Sequence, residues 1–375
     1  MKRAADALVV GGGPAGAALA AALAGAGRAV VLIEREAEAR HKVCGEFLSR
    51  EAIRYLAALD IDLEALHAVP IETVRLAVGE RVIEARLPFR AMSLSRRVLD
   101  EALLRRAAAA GAEIRRGRPV RRLAEHGGAW RADLQDGAAV CAGAAFLATG
   151  KHELRGWQRP PGLQPDLVGF KQHWRLAPEQ AAALDRSVEL TLFAGGYLGL
   201  EPVEDGLANL CLLVRRDRLA RLGRRWEPLL AAVRAEAPLL DRRLQGGRSC
   251  WDRPLAIGAI PFGHVWRGGA GPWRLGDQAA VAPAFAGDGV SIALHSARLA
   301  AGIFLGGGTA ADFHRRLAAD LAGIVRPATR LARLLVRPAP QIAASAAAAA
   351  LPRLMIWCIN ATRLSPDALV AGRCP

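Results

Sequence analysis

The feature of this sequence that most restricts its fold is a glycine-rich turn between two apolar runs near the N-terminus. Asp6–Val10 (DALVV) predicts a buried parallel strand, and an alanine-rich stretch after the turn predicts a helix to about Ala26. Arg28–Ile33 (RAVVLI) then predicts a second strand. This strand–turn–helix–strand unit predicts an α/β fold with a Rossmann-like parallel sheet.

The turn has the spacing G-x-G-x-x-G, formed by Gly11, Gly13 and Gly16. The first glycine permits a tight turn, the second lets the backbone approach a pyrophosphate, and the third lets the helix pack on the strand. Glu34 follows the second strand, 23 residues after Gly11, where a carboxylate accepts hydrogen bonds from a ribose hydroxyl. The unit therefore predicts an adenine dinucleotide, and the charge of Glu34 disfavours the 2′-phosphate of NADP.

The charge and cysteine patterns exclude several other classes of protein. The chain carries 51 Lys and Arg against 36 Asp and Glu, a net charge of +15, but the basic residues are dispersed and not interleaved with aromatic residues. We therefore expect no nucleic-acid partner, whereas peripheral contact with anionic lipid stays open. The six cysteines form no CxxC or Cys/His cluster, so no metal site is expected. Gln341–Ala361 predicts a buried or surface helix, and we expect a cytoplasmic protein.

Motifs along residues 6–296 resemble the FAD-dependent oxidoreductases that share the p-hydroxybenzoate hydroxylase fold. This group includes aromatic hydroxylases, geranylgeranyl reductases and flavin-dependent halogenases. The resemblance implies FAD as the stably bound cofactor, with NAD(P)H visiting only as a transient reductant. The segments that carry it are GGGPAG with Glu34, KVCGEFLS, SRRVLDEAL, ATG and GDQAAVAPAFAGDGVSIAL.

The same resemblance assigns roles to residues far from the first turn. Asp277 matches the aspartate that hydrogen-bonds the ribitol or the adjoining phosphate, and Arg96 matches the arginine that opens the R-x-x-L-D helix. The glycine-rich start of the last motif would lie along the flavin ring. The predicted cofactor-binding residues are Gly11, Gly13, Pro14, Ala15, Gly16, Glu34, Arg35, Cys44, Gly45, Arg96, Val120, Thr149, Gly150, Gly276, Asp277, Pro283, Gly287, Gly289 and Val290.

The substrate side of the molecule is predicted from apolar, β-branched runs within Ile71–Leu87 and Asp166–Val214, interrupted by a helix near Pro178–Ala183. These runs predict an inserted antiparallel sheet over the flavin, and the chain after Ala310 predicts C-terminal helices. The expected domains are FAD-binding at 1–70, 90–155 and 256–308, substrate-binding at 71–89 and 156–255, and a C-terminal helical region at 309–375.

Two segments hold the candidate catalytic residues. In the first, Cys44 either contacts the flavin or substrate, with Glu46 or His41 moving protons, or is a small packing residue. In the second, Lys171 and His173 lie two apart in a predicted strand and share a face. They either orient an acidic or phenolic substrate or face solvent at a sheet edge. Tyr197, after a pair of glycines, is a further candidate for lining the pocket.

The reaction type is less constrained than the cofactor. Thr149-Gly150 stands where aromatic hydroxylases carry Asp-Gly, and Tyr197–Pro202 keeps the Tyr and Pro of the reductase segment Tyr-x-Trp-x-Phe-Pro without its Trp and Phe. The first hypothesis is a monooxygenase of secondary metabolism that hydroxylates a lipophilic aromatic or polyketide-like molecule through a flavin hydroperoxide, using O2 and an external electron donor. The alternative is a geranylgeranyl reductase-like alkene reductase. A halogenase, which would need a Trp-x-Trp-x-Ile-Pro run, or a non-catalytic flavoprotein is less favoured.

Overall fold

The computed structural model describes residues 5–269 and 271–364, which form two sheets and eleven helices. The first four residues of the predicted FAD-binding domain and residues 365–375 of the predicted C-terminal region lie outside the described residues. The fold class expected from the sequence is confirmed: a Rossmann-like domain, a second sheet inserted into it, and a helical C-terminal segment.

The first sheet has the strand order β6-β2-β1-β9-β8-β7, with β16 paired to β9. Its centre is parallel, because β1 pairs in parallel with both β2 and β9, whereas β7, β8 and β9 form an antiparallel meander. Its strands are β1 (Ala5–Val10), β2 (Val30–Ile33), β6 (Glu113–Arg115), β7 (Val120–His126), β8 (Ala129–Leu134), β9 (Ala139–Leu147) and β16 (Trp273–Arg274).

Helices cover this sheet and form the largest apolar core with it. Leu19, Leu103 and Ile292, from three different helices, are buried in one cluster with the side chains of β1 and β2. Because β1 and β2 are buried on both sides, their sequences are continuously apolar. The helices are α1 (Pro14–Gly25), α2 (Arg50–Ala57), α3 (Arg96–Ala109) and α8 (Gly289–Leu305).

The second sheet has the order β14-β10-β13-β12-β11-β4-β5-β3, with β15 paired to β10. It is antiparallel except where β11 pairs in parallel with β4. One face packs on short helices through Phe170, Leu212 and Trp226. Its strands are β3 (Phe47–Leu48), β4 (Val69–Val78), β5 (Arg81–Ser93), β10 (Leu167–Arg175), β11 (Ser187–Phe193), β12 (Gly196–Val203), β13 (Leu207–Arg215), β14 (Arg248–Ser249) and β15 (Leu255–Ile257).

The helices of the second half include the predicted one at Pro178, which the structure places at α4 (Pro178–Leu184). Among the described residues no single helix is long and apolar enough to cross a membrane, but α10 and α11, bent by 116° at their junction, pass the length and composition test together. The remaining helices are α5 (Arg216–Arg221), α6 (Trp226–Glu236), α7 (Pro238–Leu244), α9 (Ala310–Leu335), α10 (Pro338–Ala350) and α11 (Pro352–Ala361).

Candidate active site

The structure brings together the two glycine turns that are more than 250 residues apart in the sequence. A Cβ atom added to Gly276 would lie 3.2 Å from the Cβ of Ala15, at the start of α1. The N–H of Gly276 donates to Oγ of Ser296 in α8, over 2.9 Å. The later turn therefore lies directly beside the first, as one extended nucleotide bound by both would require.

The geometry of the first turn fits the pyrophosphate of FAD. Gly11 has φ +107°, and a Cβ there would lie 2.4 Å from the carbonyl oxygen of Ala148, while a Cβ on Gly16 would lie 1.9 Å from the oxygen of Gly11. A Cβ on Gly13 instead meets only the Nη2 atom of Arg96, at 3.4 Å. No side chain caps α1 at this end. Open space, a guanidinium and a helix N-terminus together match a diphosphate.

Arg96 is held toward Gly13 by a buried carboxylate. Its Nε lies 2.8 Å from Oδ1 of Asp100, and Nζ of Lys42 lies 2.9 Å from Oδ2 of the same residue. Burial would raise the pKa of Asp100, but the charges of Arg96 and Lys42 hold it below its usual range. The arginine and the aspartate of the R-x-x-L-D motif therefore contact each other within one helix, because side chains at i and i+4 are neighbours.

The adenosine end of the site lies beside Glu34. Its Oε2 accepts a 2.6 Å hydrogen bond from the N–H of Gly12, and its Oε1 accepts one of 3.0 Å from Glu36. A cleft lined by Gly12, Glu34, Lys42 and Arg116 opens here. The other predicted adenosine-side residues are Arg35, whose Nη2 lies 3.0 Å from His152, and Val120 at the start of β7.

At the later turn, the predicted residues are linked to the ATG segment by a side chain that the sequence analysis did not single out. Nε2 of Gln278 donates to the carbonyl oxygens of Gly150 and His152, at 2.9 and 3.0 Å. Thr149 Oγ1 donates to the same His152 carbonyl, over 2.7 Å. The position of Gln278 directly after Gly-Asp was the only sequence signal for this role.

The glycine-rich loop before α8 provides the close approach that a flat ring system needs. Gly287 has φ +69°, and a Cβ there would lie 2.9 Å from Cδ1 of Phe47. A Cβ on Gly289, at the start of α8, would meet nothing within 4 Å. Val290 is buried behind it, and Pro283 opens the turn before the loop. These residues fit the flavin ring that the sequence motif implies.

A buried ionic cluster lies between the KVCGE segment and strand β10. Glu46 places Oε2 2.8 Å from Nε2 of His173, and its Oε1 forms an ion pair with Nζ of Lys171 and accepts a 2.7 Å hydrogen bond from the N–H of Arg96. The side chains of Glu46, Lys171 and His173 are at most 2% exposed. Of the two interpretations of Lys171 and His173, the solvent-exposed sheet edge is therefore excluded.

The charge state of Glu46 follows from its two partners. Burial alone would raise its pKa, but the ammonium of Lys171 and the hydrogen bond from His173 lower it to about 2. Glu46 has φ +67°, a left-handed conformation that is uncommon for a residue with a side chain. This backbone conformation directs the carboxylate of Glu46 at β10, and strained conformations of this kind are frequent at functional sites.

Two aromatic rings extend the cluster. The His41 and His173 ring centroids are 4.7 Å apart, and Trp251 stacks on His173 at 5.0 Å. Burial, followed by the charges of His173 and Lys171, lowers the pKa of His41 to about 4. One ligand atom each from His41, Glu46 and His173 lie within 4.8 Å of one another, but the Lys171 ammonium pairs with the same carboxylate and disfavours a metal cation.

Cys44 and Tyr197, the other two candidates, have different surroundings. Cys44 is half-buried, and its Sγ accepts the N–H of Glu46 at 3.4 Å. Asn209, which the sequence analysis missed, donates to the carbonyl oxygens of Cys44 and Gly45 at 3.2 and 2.8 Å. Tyr197 is buried against the ring of Phe285, 5.9 Å away, and burial raises the pKa of its hydroxyl. Cys44 thus adjoins the ionic cluster, while Tyr197 packs on the turn before α8.

Comparison with known proteins agrees with this geometry. Residues 4–140 match a protein family described as "FAD binding domain". The chain is 29% identical over 331 residues to a menaquinone reductase of Mycolicibacterium smegmatis, which covers 82% of this chain and 78% of that protein. It is 30% identical over 231 residues to digeranylgeranylglycerophospholipid reductase 2 of Methanopyrus kandleri, covering 56% of this chain and 54% of the relative.

Solved structures show the same fold at low sequence identity. The myxobacterial chondrochloren halogenase CndH superposes with a TM-score of 0.75 at 19% identity, covering 98% of this chain and 95% of the halogenase. A triple mutant of the flavin-dependent brominase Bmp2 gives 0.78 at 16% identity, covering 98% and 97%. The family model confirms the resemblance indicated by the sequence motifs: residues 4–140 form an FAD-binding domain, and the solved structures confirm the fold.

Proposed function

We propose that this protein is an FAD-dependent reductase that saturates a carbon–carbon double bond in the isoprenoid part of a lipophilic substrate. The observation that carries the proposal is the buried Glu46–Lys171–His173 cluster, a group of titratable side chains in direct contact near the glycine turns. The names of the two reductase relatives support it, because menaquinone and digeranylgeranylglycerophospholipid both carry unsaturated isoprenoid chains.

Saturation of a double bond requires a hydride at one carbon and a proton at the other. Reduced FAD, when bound, supplies the hydride, which carries both electrons. The protein's own groups supply the proton. His173 shares a proton with Glu46 along the 2.8 Å contact between Nε2 and Oε2. The low pKa of Glu46 keeps its carboxylate charged, so this carboxylate accepts a hydrogen bond from the imidazole N–H of His173.

Cys44 is the member of this group best placed to pass the proton on. Its thiol is half-buried, whereas Glu46, Lys171 and His173 are enclosed, and its Sγ already receives the N–H of Glu46. In this scheme Cys44 Sγ donates its proton to the substrate carbon, and the cluster returns a proton to the thiolate. The guanidinium of Arg96 is a neighbour of Cys44 in this arrangement.

The monooxygenase favoured by the sequence analysis is the second candidate. Gly199 and Glu201 stand where the reductase segment carries Trp and Phe, which favours a substrate other than a simple prenyl chain. Thr149 at the Asp-Gly position argues against direct NADPH-driven hydroxylation. We place the reductase first because the relative from Mycolicibacterium smegmatis, whose match covers 82% of this chain, is named a reductase.

One experiment separates the two candidates. Purified holoenzyme is reduced anaerobically with dithionite and mixed with an isoprenoid quinone, or with oxygen and a panel of lipophilic phenols, and the products are analysed by mass spectrometry. A gain of two hydrogens that remains in the isoprenoid chain after any quinol has been reoxidised to the quinone supports the reductase. Insertion of one oxygen atom into a phenol with no saturation of the isoprenoid compound overturns it in favour of the monooxygenase.

The electron donor is tested in the same system. NAD(P)H is the transient reductant that the resemblance implies. If NADH or NADPH replaces dithionite, the flavin absorbance bleaches under anaerobic conditions. If neither nucleotide bleaches it while dithionite does, a separate protein or quinol supplies the electrons.

A further inference from the structure

Strand register places a row of polar side chains on one face of the second sheet. His173 of β10 pairs with Asn209 of β13, and Asn209 pairs with Glu201 of β12. Lys171 belongs to the adjacent row on the same face, because side chains alternate along a strand. Glu201, which the sequence analysis did not select as a site residue, therefore belongs to the sheet face that carries Lys171 and His173.

Glu201 is buried without the hydrogen bonds that a buried carboxyl group needs. It is 2% exposed, and neither of its carboxyl oxygens has a hydrogen-bond partner among the described residues. The Oδ1 atom of Asn209 and the Oγ atom of Ser93 are also buried and also lack a hydrogen-bond partner among the described residues. Burying such groups unpaired is energetically unfavourable, and native proteins rarely retain them without a ligand or ordered water.

The burial of Glu201 favours the neutral form of its carboxyl group. Burial raises the pKa of Glu201 well above the usual range, and the charge of Glu46 raises it further, as does Cys44. The hydroxyl of Ser93, which lies near the carboxyl group without completing a well-aligned hydrogen bond, and the charge of Lys171 act in the opposite direction. A protonated carboxyl group is a hydrogen-bond donor as well as an acceptor.

Space for a ligand lies at the neighbouring position of the same strand. Gly199 is two residues from Glu201 and therefore on the same face, and a Cβ placed on it would meet no atom within 4 Å. A Cβ on Gly45, whose carbonyl oxygen accepts a hydrogen bond from Asn209, would also meet no atom within 4 Å. The sheet thus has an opening at a glycine directly beside an unpaired carboxyl group.

We propose that Glu201 is a specificity-determining residue that donates a hydrogen bond to a carbonyl or hydroxyl oxygen of the substrate. This proposal rests on the proposed function, in that the oxygen belongs to the same lipophilic molecule. It restricts the substrate class to compounds with an oxygen-bearing ring or chain beside the reactive region. A purely hydrocarbon chain would leave the carboxyl group unpaired and would bind less tightly.

Equilibrium binding with a matched pair of probes tests this without any turnover. Menadione carries two carbonyl oxygens, and 2-methylnaphthalene has the same ring skeleton with none. We expect Glu201→Leu holoenzyme to bind menadione about tenfold more weakly than wild type, with 2-methylnaphthalene binding unchanged. Glu201→Gln, which keeps a neutral donor, should retain most of the affinity. Binding that weakens as pH rises in wild type, but not in Glu201→Gln, would support the same role.

Infrared difference spectroscopy gives an independent readout. The C=O stretch of a protonated carboxyl group should shift when menadione binds to wild type and be missing in Glu201→Gln. If Glu201→Leu binds both probes as wild type does, or if no such band shifts, the proposal is overturned. Both experiments measure binding and not product. A protein without the proposed reductase activity could therefore still show the Glu201 effect, so failure of this proposal is distinguishable from failure of the proposed function.

A second inference rests on the outer surface of α9–α11. Ile342, Leu351 and Trp357 are 62%, 65% and 65% exposed, and Leu334 and Leu354 are also exposed. Between positions 321 and 362 the sequence contains five arginines and no acidic residue. Large apolar side chains beside an unopposed positive charge are typical of helices that lie in a membrane interface.

We infer that α10 and α11 dock on an anionic lipid bilayer, with their junction at Leu351 inserted among the acyl chains. The 116° bend makes Leu351 the tip of a wedge. Trp357 is suited to the headgroup level, because its ring is apolar with one polar N–H. Arg353 and the exposed arginines of α9 would contact lipid phosphates.

Vesicle sedimentation tests this surface. We expect the holoenzyme to bind vesicles of equal parts phosphatidylglycerol and phosphatidylcholine, less at high salt, and to bind pure phosphatidylcholine weakly. Leu351→Ser with Trp357→Ser should weaken binding at least tenfold, while Leu163→Ser, at an exposed leucine outside α10 and α11, should not. Equal binding of the double variant, or dimerisation of wild type that the double variant abolishes, would overturn the inference.

Discussion

Arg363, just after α11, places Nη1 2.6 Å from Oδ1 of Asp288, the residue that precedes α8. Both side chains are buried, and the guanidinium also lies over the rings of Phe47 and Phe89. The C-terminal helices are thus joined by an ion pair to the loop that the flavin ring is expected to contact. This ion pair therefore links the proposed lipid-docking helices to the loop beside the cofactor site.

Replacing Arg363 by Met should destabilise the protein more at pH 8 than at pH 5. Burial, opposed by Arg363, raises the pKa of Asp288 to about 6. Because this value lies above the unfolded one, the contribution of Asp288 to stability is present at low pH and is lost as pH rises through about 6. Above that pH the carboxylate is charged and needs Arg363, and breaking a buried pair costs ~3–5 kcal/mol. Urea unfolding at both pH values measures this, and an equal loss at each would contradict it.

The Glu46–Lys171 pair should show strong coupling. Lys171→Met leaves Glu46 as a buried charge and should cost ~3–5 kcal/mol, whereas adding Glu46→Gln should recover most of that loss. A double-mutant cycle by urea unfolding measures the coupling. If the two single losses simply add, the pair is not the buried ionic contact described above.

The Glu46–Lys171 pair also predicts how the free energy of unfolding depends on pH in the acid range. The pKa of Glu46 is lowered to about 2, below its unfolded value, so its stabilising contribution is present above about pH 4.5 and is lost as pH falls toward 2. The shift corresponds to roughly 3 kcal/mol. The stability difference between wild type and the Glu46→Gln/Lys171→Met variant should therefore shrink between pH 6 and pH 3. A constant difference would show that Glu46 does not titrate in this way.

Gly13 and Gly16 should respond differently to alanine. A Cβ on Gly13 would meet only the far end of Arg96, so the apoprotein should fold normally, but the methyl group would occupy the space of a phosphate and FAD should be lost on purification. Valine at this position should abolish FAD retention outright. A Cβ on Gly16 would lie 1.9 Å from the oxygen of Gly11, so that variant should lose fold stability as well. Flavin absorbance and circular dichroism measure the two properties, and a yellow Gly13→Val protein would contradict the site.

How far the sequence predicts this protein depends on whether the relevant signal is local. The N-terminal unit was predictable because Gly11, Gly13 and Gly16 each meet a backbone requirement that only glycine satisfies. The antiparallel sheet was predictable from its apolar runs, such as the mostly apolar segment that forms β13 (Leu207–Arg215).

The composition of the site was only partly predictable. Lys171 and His173 could be placed on one face by their spacing, but their burial depends on Glu46, 125 residues away, reaching them from a left-handed turn. Glu201 and Asn209 were missed because strand register, which sets them beside His173, arises from pairing between distant segments. Arg363 was missed for the same reason, as its partner precedes it by 75 residues.

The last prediction concerns Asp277, for which removal of the side chain should weaken FAD binding without disturbing the turn. Its backbone carbonyl accepts a 2.6 Å hydrogen bond from Arg159, and the turn is fixed by Gly276 N–H on Ser296. Its carboxylate makes no hydrogen bond to the described residues and lies 3.9 Å from Nζ of Lys151. Asp277→Ala should therefore leave the melting temperature of the apoprotein unchanged and raise the Kd for FAD by about tenfold or more, because a charged acceptor for the ribitol is lost.

Ser296→Ala is the matched control for Asp277→Ala. It deletes the acceptor of the buried Gly276 N–H, which should cost about 1–3 kcal/mol of folding stability. Fluorescence titration of apoprotein with FAD and thermal unfolding of the same samples measure both quantities. The assignment requires Asp277→Ala to change affinity more than stability, and Ser296→Ala to change stability in the apoprotein. An Asp277→Ala protein that binds FAD as tightly as wild type would show that the later turn contacts the cofactor through its backbone alone.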